Sequence, residues 1–181
     1  MAKKSNLKIQ NIVATASLGK KVPLVKFASS QPDSEYNPEQ FPGLVLRIKK
    51  PKSAVLVFSS GNLVCTGTKS VAQVREVIGK VIGKLRKIKI NIRGKPRVNV
   101  QNIVASGSVG LNLDLNYLAI KIDNTEYEPE QFPGLVYKLP EINATFLLFS
   151  NGKLVCTGTK NRPQLDNAMK LLVKNLKSLK N

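Results

Sequence analysis

Histidine and tryptophan are absent from these 181 residues, cysteine occurs only twice, and acidic side chains number 11 against 29 Lys and Arg. Each scarcity removes a class of chemistry. Without an imidazole there is no histidine general base and no Cys–His nucleophile pair, and Cys65 and Cys156 alone do not make a common zinc set. No apolar run approaches the roughly 18 residues that a membrane span needs. The start, Met1-Ala2-Lys3-Lys4-Ser5-Asn6, lacks the apolar segment of a secretory signal, so no membrane association and a reducing, cytoplasmic location are expected. The shortage of carboxylates leaves a formal charge of +18, a balance that seeks a polyanion. Apolar residues are plentiful at 42%, so the chain can fill a core and is not a disordered basic tail. Neither catalysis nor a cofactor is expected.

Sliding the sequence against itself gives one strong match, at an offset of 91. Gln10-Asn11-Ile12-Val13-Ala14 returns as Gln101-Asn102-Ile103-Val104-Ala105. Pro38-Glu39-Gln40-Phe41-Pro42-Gly43-Leu44-Val45 returns as Pro129-Glu130-Gln131-Phe132-Pro133-Gly134-Leu135-Val136, and Leu63-Val64-Cys65-Thr66-Gly67-Thr68-Lys69 as Leu154-Val155-Cys156-Thr157-Gly158-Thr159-Lys160. About 33 of 84 positions agree without a gap between 7–90 and 98–181. The chain is therefore read as two repeats, 1–90 and 91–181, joined intimately through Arg93-Gly94-Lys95-Pro96-Arg97 into one two-lobed body.

Alternating β-branched residues predict strands over 7–15 and 98–106, with short apolar strands over 44–49, 54–58 and 62–68, the last after the turn Ser59-Ser60-Gly61-Asn62. Val71, Val74, Ile78, Val81, Ile82 and Leu85 recur at helical spacing, as do Leu165, Met169, Leu172, Val173 and Leu176, so each copy ends in an amphipathic helix. Pro163 suits the first turn of the second. Shorter helices are expected around 114–120, capped by Asp114, and around 23–30.

One helix covers one sheet face. Alternation puts Leu63, Cys65 and Gly67 on one side and Val64, Thr66 and Thr68 on the other. The uncovered side then presents Asn11, Val13, Thr15, Val64 and Thr66, repeated as Asn102, Val104, Ser106, Val155 and Thr157. This small, nearly uncharged surface either packs against a second copy or layer, or enters the DNA minor groove, whose floor offers mainly acceptors and sugar edges. Phe41 with Phe58, and Phe132 with Phe149, stand beside turns at equivalent positions and are candidate wedges. Buried core phenylalanine is the usual alternative for any one of them.

The duplicated Gln-Asn-Ile-Val-Ala, Glu-Gln-Phe-Pro-Gly-Leu-Val and Leu-Val-Cys-Thr-Gly-Thr-Lys segments resemble the core of the TATA-box-binding protein family over about residues 7–179, in its archaeal form. The resemblance implies an α+β fold with two-fold pseudosymmetry: a saddle-shaped, curved antiparallel sheet of ten strands with four helices on the convex side. It implies a general transcription initiation factor that binds A·T-rich promoter DNA, the TATA box, in the minor groove. The family is a standing example of minor-groove wedging and kinking, so that mechanism and its energetic scale come with the resemblance. By the same resemblance, Phe41, Phe58, Phe132 and Phe149 part base steps, and Asn11 and Asn102 donate to A N3 or T O2 with help from Thr66 and Thr157. Val13, Val104, Val64 and Val155 fill the opened groove. Arg47, Lys138, Lys69, Lys160 and Lys153 reach phosphates, although the first copy has Asn62 where the second has Lys153.

The resemblance also implies an archaeal transcription factor B on the second Phe-Pro-Gly turn, where Glu128, Glu130 and Gln131 are the candidate contacts, RNA polymerase recruited indirectly, and location in the archaeal nucleoid. A homodimer is possible without DNA. The charge departs from the family pattern: residues 1–90 carry a net +13 and 91–181 only +5, with Lys80, Lys84, Arg86, Lys87 and Lys89 on or after the first long helix. Composition alone fits an RNA-binding protein equally well, but stacking modules place aromatics mid-sheet, whereas these lie at strand ends. A nuclease accessory domain is disfavoured by the lack of a duplicated acidic constellation. Cys65 and Cys156 read as buried thiols on the helix-facing side.

Overall fold

Period-two alternation of β-branched residues extends the backbone over Lys8–Ser17 (β1) and Asn99–Ser108 (β6) in a computed structural model that describes residues 6–179. Residues 1–5, on which the expectation of no secretory signal partly rests, lie outside the described residues. After β1 come α1 (Leu24–Ser29), β2 (Ser34–Glu35), β3 (Leu44–Ile48), β4 (Ser53–Val57), β5 (Asn62–Thr68) and α2 (Val71–Lys87). The second copy repeats the order after β6 with α3 (Leu115–Lys121), β7 (Thr125–Glu126), β8 (Leu135–Leu139), β9 (Ala144–Leu148), β10 (Lys153–Thr159) and α4 (Arg162–Ser178). A single 3₁₀ turn, Pro140–Ile142, joins β8 to β9. The ten strands and four helices of the expected α+β fold are thus present among the described residues.

Two compact units emerge, residues 11–101 and residues 6–10 with 102–179. In the first, the strands lie in the order β2-β3-β4-β5-β1; in the second, β6-β10-β9-β8-β7, and within each unit the pairings are antiparallel. No helix among the described residues is long and apolar enough to cross a membrane.

The core of each unit lies between the sheet and its helices. Leu44, Leu46, Val55, Val57, Leu63 and Cys65 are almost wholly buried from the strands, and Val74, Val77, Ile78, Val81 and Leu85 meet them from α2. Each large side chain so buried contributes on the order of 1.5–3 kcal/mol from removal of apolar area from water. Val77 joins this stripe although the spacing argument passed over it, while Val71 and Ile82 lie half-buried at its margin. In α4 the stripe is Leu165, Ala168, Met169, Leu172 and Leu176, with Val173 at the margin.

Both long helices begin with the same lock. The Ser70 hydroxyl accepts the Gln73 N–H at 3.1 Å, and the Gln73 amide oxygen accepts the Lys69 N–H at 2.9 Å. Asn161, Gln164 and Lys160 repeat it at 2.9 Å and 2.9 Å. Such a cap satisfies amide donors that the first helical turn leaves unpaired and contributes about 1 kcal/mol. Asp114 caps α3 as expected, accepting the Tyr117 N–H at 3.0 Å.

The two thiols are free and buried; loss of hydration pushes Cys65 up to about 11 and Cys156 up to about 12.

Simple alternation fails at one place in each copy. It put Gly67 under the helix and Thr68 on the open side, whereas Thr68 and Thr159 are fully buried and Gly67 is exposed. β1 pairs Ile12 with Thr68 and Ala14 with Cys65, so β5 spends one residue more than its neighbour; β10 does the same against β6, pairing Thr159 with Ile103 and Cys156 with Ala105. The extra residue is a β-bulge, and the parity of everything after it is reversed. Gly67 and Gly158 make it possible with φ of +94° and +99°, a region costly for any residue bearing a Cβ. A Cβ on Gly158 would also lie 2.4 Å from the Asn143 carbonyl oxygen. Gly158→Ala is therefore expected to lower stability in urea unfolding by about 2 kcal/mol or more. Gly19→Ala, at φ +64° in open space, should cost only about 1 kcal/mol.

Candidate nucleic-acid interface

The sheet face turned away from the helices is built from cross-strand rows. In the first unit one row reads Val45, Leu56, Val64 and Thr15, and the next reads Arg47, Ala54 and Thr66. The second unit repeats them as Val136, Leu147, Val155 and Ser106, and as Lys138, Thr145 and Thr157. Except for the exposed Arg47 and Lys138, these residues are half-buried, as are Asn11, Val13, Asn102 and Val104. Each unit thus carries an apolar row beside a row that runs from a cation through small residues to a hydroxyl. Val45, Leu56, Val136 and Leu147 were not singled out from sequence, although Leu56 shares its parity with Phe58, and Val45 shares its parity with Arg47.

The bulge fixes the asparagines. The Gly67 N–H donates to Asn11 Oδ1 at 2.7 Å, and the Asn11 Nδ2 amide donates to Thr66 Oγ1 at 3.1 Å. Asn102 repeats this with Gly158 at 2.7 Å and Thr157 at 2.9 Å. A backbone N–H only donates, so the atom it meets is the amide oxygen, and the NH₂ orientation follows by elimination. One of the two amide hydrogens is used on the threonine hydroxyl; the second is available to an acceptor over the face. The sequence reading named the asparagines and threonines. It missed that the glycine amides orient them, because the bulge that brings the N–H there is invisible to alternation.

At the far end of β3 and β4 the rings meet in pairs. Phe41 and Phe58 have centroids 5.9 Å apart and an interplanar angle of 66°; Phe132 and Phe149 stand 6.0 Å apart at 67°. Edge-to-face contact of this kind holds the rings together with about 0.5–1.5 kcal/mol. Phe41 and Phe132 are each 41% exposed, and their partners are half-buried. The two remaining phenylalanines, Phe27 and Phe146, are fully buried core residues. Gly43 and Gly134 let the rings approach: a Cβ there would lie 2.7 Å from the Phe41 or Phe132 ring. The Asn37 carbonyl accepts the N–H groups of Gln40 and Phe41, and the Glu128 carbonyl those of Gln131 and Phe132, which closes the preceding turn in each unit.

The five candidate phosphate cations are all exposed, and two are lightly tethered. Arg47 pairs with Glu35 at 3.5 Å and Lys138 with Glu126 at 2.6 Å. Ion pairs this exposed contribute about 0–1 kcal/mol, so exchanging the carboxylate for a phosphate costs little. Lys69 and Lys160 stand immediately before the caps of α2 and α4, their backbone held by Gln73 and Gln164. Lys153 borders a depression of about 870 Å³ that also contains Phe149, Val155 and Ser106. Its counterpart of about 700 Å³ beside Phe58 has Asn62 in that place. The Glu128, Glu130 and Gln131 side chains are exposed on the turn before Phe132.

A twice-repeated sheet with helices on one face, and small apolar rows, oriented amides and paired rings on the other, defines a duplicated sheet-face binding protein. The comparisons with known proteins specify which. The family model described as transcription factor TFIID (or TATA-binding protein, TBP) matches residues 6–88 and again 97–179. The TATA-box-binding protein of Archaeoglobus fulgidus is 46% identical over 175 residues, 96% of this chain and 96% of that one. The TATA-box-binding protein of Pyrococcus horikoshii is 44% identical over 170 residues, 94% and 89% of the two chains. The solved structure of Methanococcus jannaschii TBP is similar with a TM-score of 0.91 at 40% identity, covering 95% of this chain and 98% of that one. The chain belongs to the TATA-box-binding protein family and has its fold.

Gly134→Ala tests how the rings are seated. The added methyl meets the mobile edge of Phe132 rather than backbone, so unfolding stability should fall by about 1 kcal/mol. The ring-current shifts of Phe132 and Phe149 should change in NMR spectra; unchanged shifts would contradict the close approach.

Proposed function

We propose that the bare sheet faces bind A·T-rich promoter duplex in the minor groove, and that each ring pair wedges into a base step and kinks it. The observation that carries this reading is the amide geometry. In each unit the contacts to the bulge glycine and the threonine leave one amide hydrogen of the asparagine unused, on a face whose longest row is apolar but for one hydroxyl residue. The minor-groove edge of an A·T pair offers only the acceptors A N3 and T O2, whereas G·C adds a donor. A fixed N–H therefore matches A·T, and the flanking Val13, Val64, Val104 and Val155 leave no partner for a guanine amino group. Unstacking costs on the order of a few kcal/mol per step, and bending adds to it. Apolar contact with Val45, Leu56, Val136 and Leu147 offsets that cost, together with phosphate neutralisation by Arg47, Lys69, Lys138, Lys153 and Lys160. Flexible T-A steps are the favoured sites.

The exposed acidic turn at Glu128, Glu130 and Gln131 is the docking point for archaeal transcription factor B, through which RNA polymerase is recruited. In this reading the protein is a general initiation factor of the archaeal nucleoid and not an enzyme. Without DNA, the same apolar rows make pairing with a second copy the competing use of the face.

Phe132→Ala and Phe149→Ala should weaken binding to an A·T-rich duplex by about tenfold or more and reduce its bend by fluorescence transfer between end labels; an unchanged bend would sink the wedge. Asn102→Asp keeps the acceptor for the Gly158 N–H but removes the donor, so the fold should persist while the preference for A·T over G·C at the central pairs falls. Reversing Glu128 and Glu130 to Lys should leave the binary DNA complex intact and abolish the supershift by transcription factor B.

A further inference from the structure

We propose that the unit of residues 11–101 carries a second, sequence-independent binding groove for the phosphate backbone of duplex DNA, between the β3–β4 turn and α2. The groove holds about 610 Å³. Lys49 and Lys50 line it from the turn, and Lys80, Lys84 and Lys87 line it from the helix. The three helical lysines are spaced four and three residues apart, so they form one stripe facing the turn. Gly83 lies between them, and a Cβ built there meets nothing within 4 Å, which leaves the floor low. Asp33 is the single carboxylate of the lining, 3.8 Å from Lys49.

The cations are partly preorganised. Lys84 Nζ donates to Oε1 of the buried Gln31 at 2.8 Å, and Lys80 Nζ donates to the Lys50 carbonyl while pairing with Glu76 at 3.2 Å. The fold does not require this cluster. The second copy builds the same strand pair and helix, with a 3₁₀ turn between the strands, using Pro140, Glu141, Leu171, Asn175 and Ser178 at the five equivalent positions, and Asn175 instead donates to the Tyr137 hydroxyl at 2.7 Å. Five lysines brought together repel one another, a cost that the second copy avoids and that a bound polyanion reverses.

The chemistry of the walls selects the polyanion. Centres of protein–protein interfaces are depleted of Lys and organised around aromatic or apolar anchors. This groove has five lysines, no aromatic residue, and Ile48 as its only large apolar lining residue. A phosphate backbone needs point charges and no anchor. The groove is also continuous with the sheet face through Arg47, which borders both it and the neighbouring depression that contains Thr66, Gly67 and Lys69. It does not depend on the minor-groove reading, since it lies on the helix side and recognises no base.

The test uses the full chain and a G·C-only duplex. Lys49→Ala, Lys50→Ala and Lys87→Ala together remove three exposed groove charges. Lys170→Ala, Lys174→Ala and Lys177→Ala remove three exposed charges from α4 as a matched control, and circular dichroism verifies both folds. The groove variant should bind the G·C duplex about tenfold more weakly at low salt, with a log–log salt slope smaller by about 2–3, at about 0.9 per phosphate neutralised; the control should change the slope by less than one. Wild type saturated with an A·T-rich duplex should still capture a labelled G·C duplex, seen as energy transfer between the two, and the groove variant should not. Equal slope changes in both variants would overturn the proposal in favour of net charge alone. An unchanged G·C slope, with poly-glutamate binding lost only in the groove variant, would overturn it in favour of an acidic polypeptide. Loss of bending in the Phe132 and Phe149 variants reads the sheet face separately.

Discussion

A β-sheet has two faces, and each repeat supplies one long amphipathic helix to cover them. The bare face of each unit follows from that mismatch. In β5, Leu63 and Cys65 are sealed beneath α2, while Val64 and Thr66, one residue away in each case, remain on the other side. Alternation forces the separation, because successive side chains of a strand cannot share a face. A soluble chain usually keeps such a surface polar. Here it stays apolar in both copies, with Val45, Leu56 and Val64 aligned in one unit and Val136, Leu147 and Val155 in the other. A surface of that composition, duplicated and flanked by cations, suits a ligand with an apolar floor and an anionic rim.

Within that face, the orientation of the asparagines depends on a local break in the sheet. The bulge at Gly67 and at Gly158 turns one backbone N–H toward an asparagine and thereby decides which way its amide points. Removing the extra residue would move Thr68 out from under the helix and leave the Asn11 oxygen without its backbone donor. The same device occurs twice with nearly identical distances, as do the paired rings. Duplication preserved backbone and site together, so each unit serves as the internal control for the other.

Charge is where the copies part. The excess of cations in the first repeat is gathered on the turn after β3 and on α2, at positions where the second repeat carries Pro140, Glu141, Leu171, Asn175 and Ser178. The fold accommodates both sets: seven of these ten side chains are exposed, and Lys84, Leu171 and Asn175 are half-buried.

The sequence by itself determined the repeat, its offset, the helices, the Asp114 cap, the helix-facing thiols and the four candidate wedge phenylalanines. All of these are written in residue type and short-range spacing: a 3.6-residue stripe, an Asp before an apolar run, a Phe-Pro-Gly turn that returns after 91 residues. Only the tertiary structure decided which side of the sheet Thr68 and Thr159 occupy, how Asn11 and Asn102 are turned, and that lysines from residues 49–50 and 80–87 line a single groove. Those features arise where strands pair out of register or where segments some thirty residues apart fold against each other. A one-residue bulge leaves composition and periodicity almost untouched while it reverses the orientation of every side chain that follows.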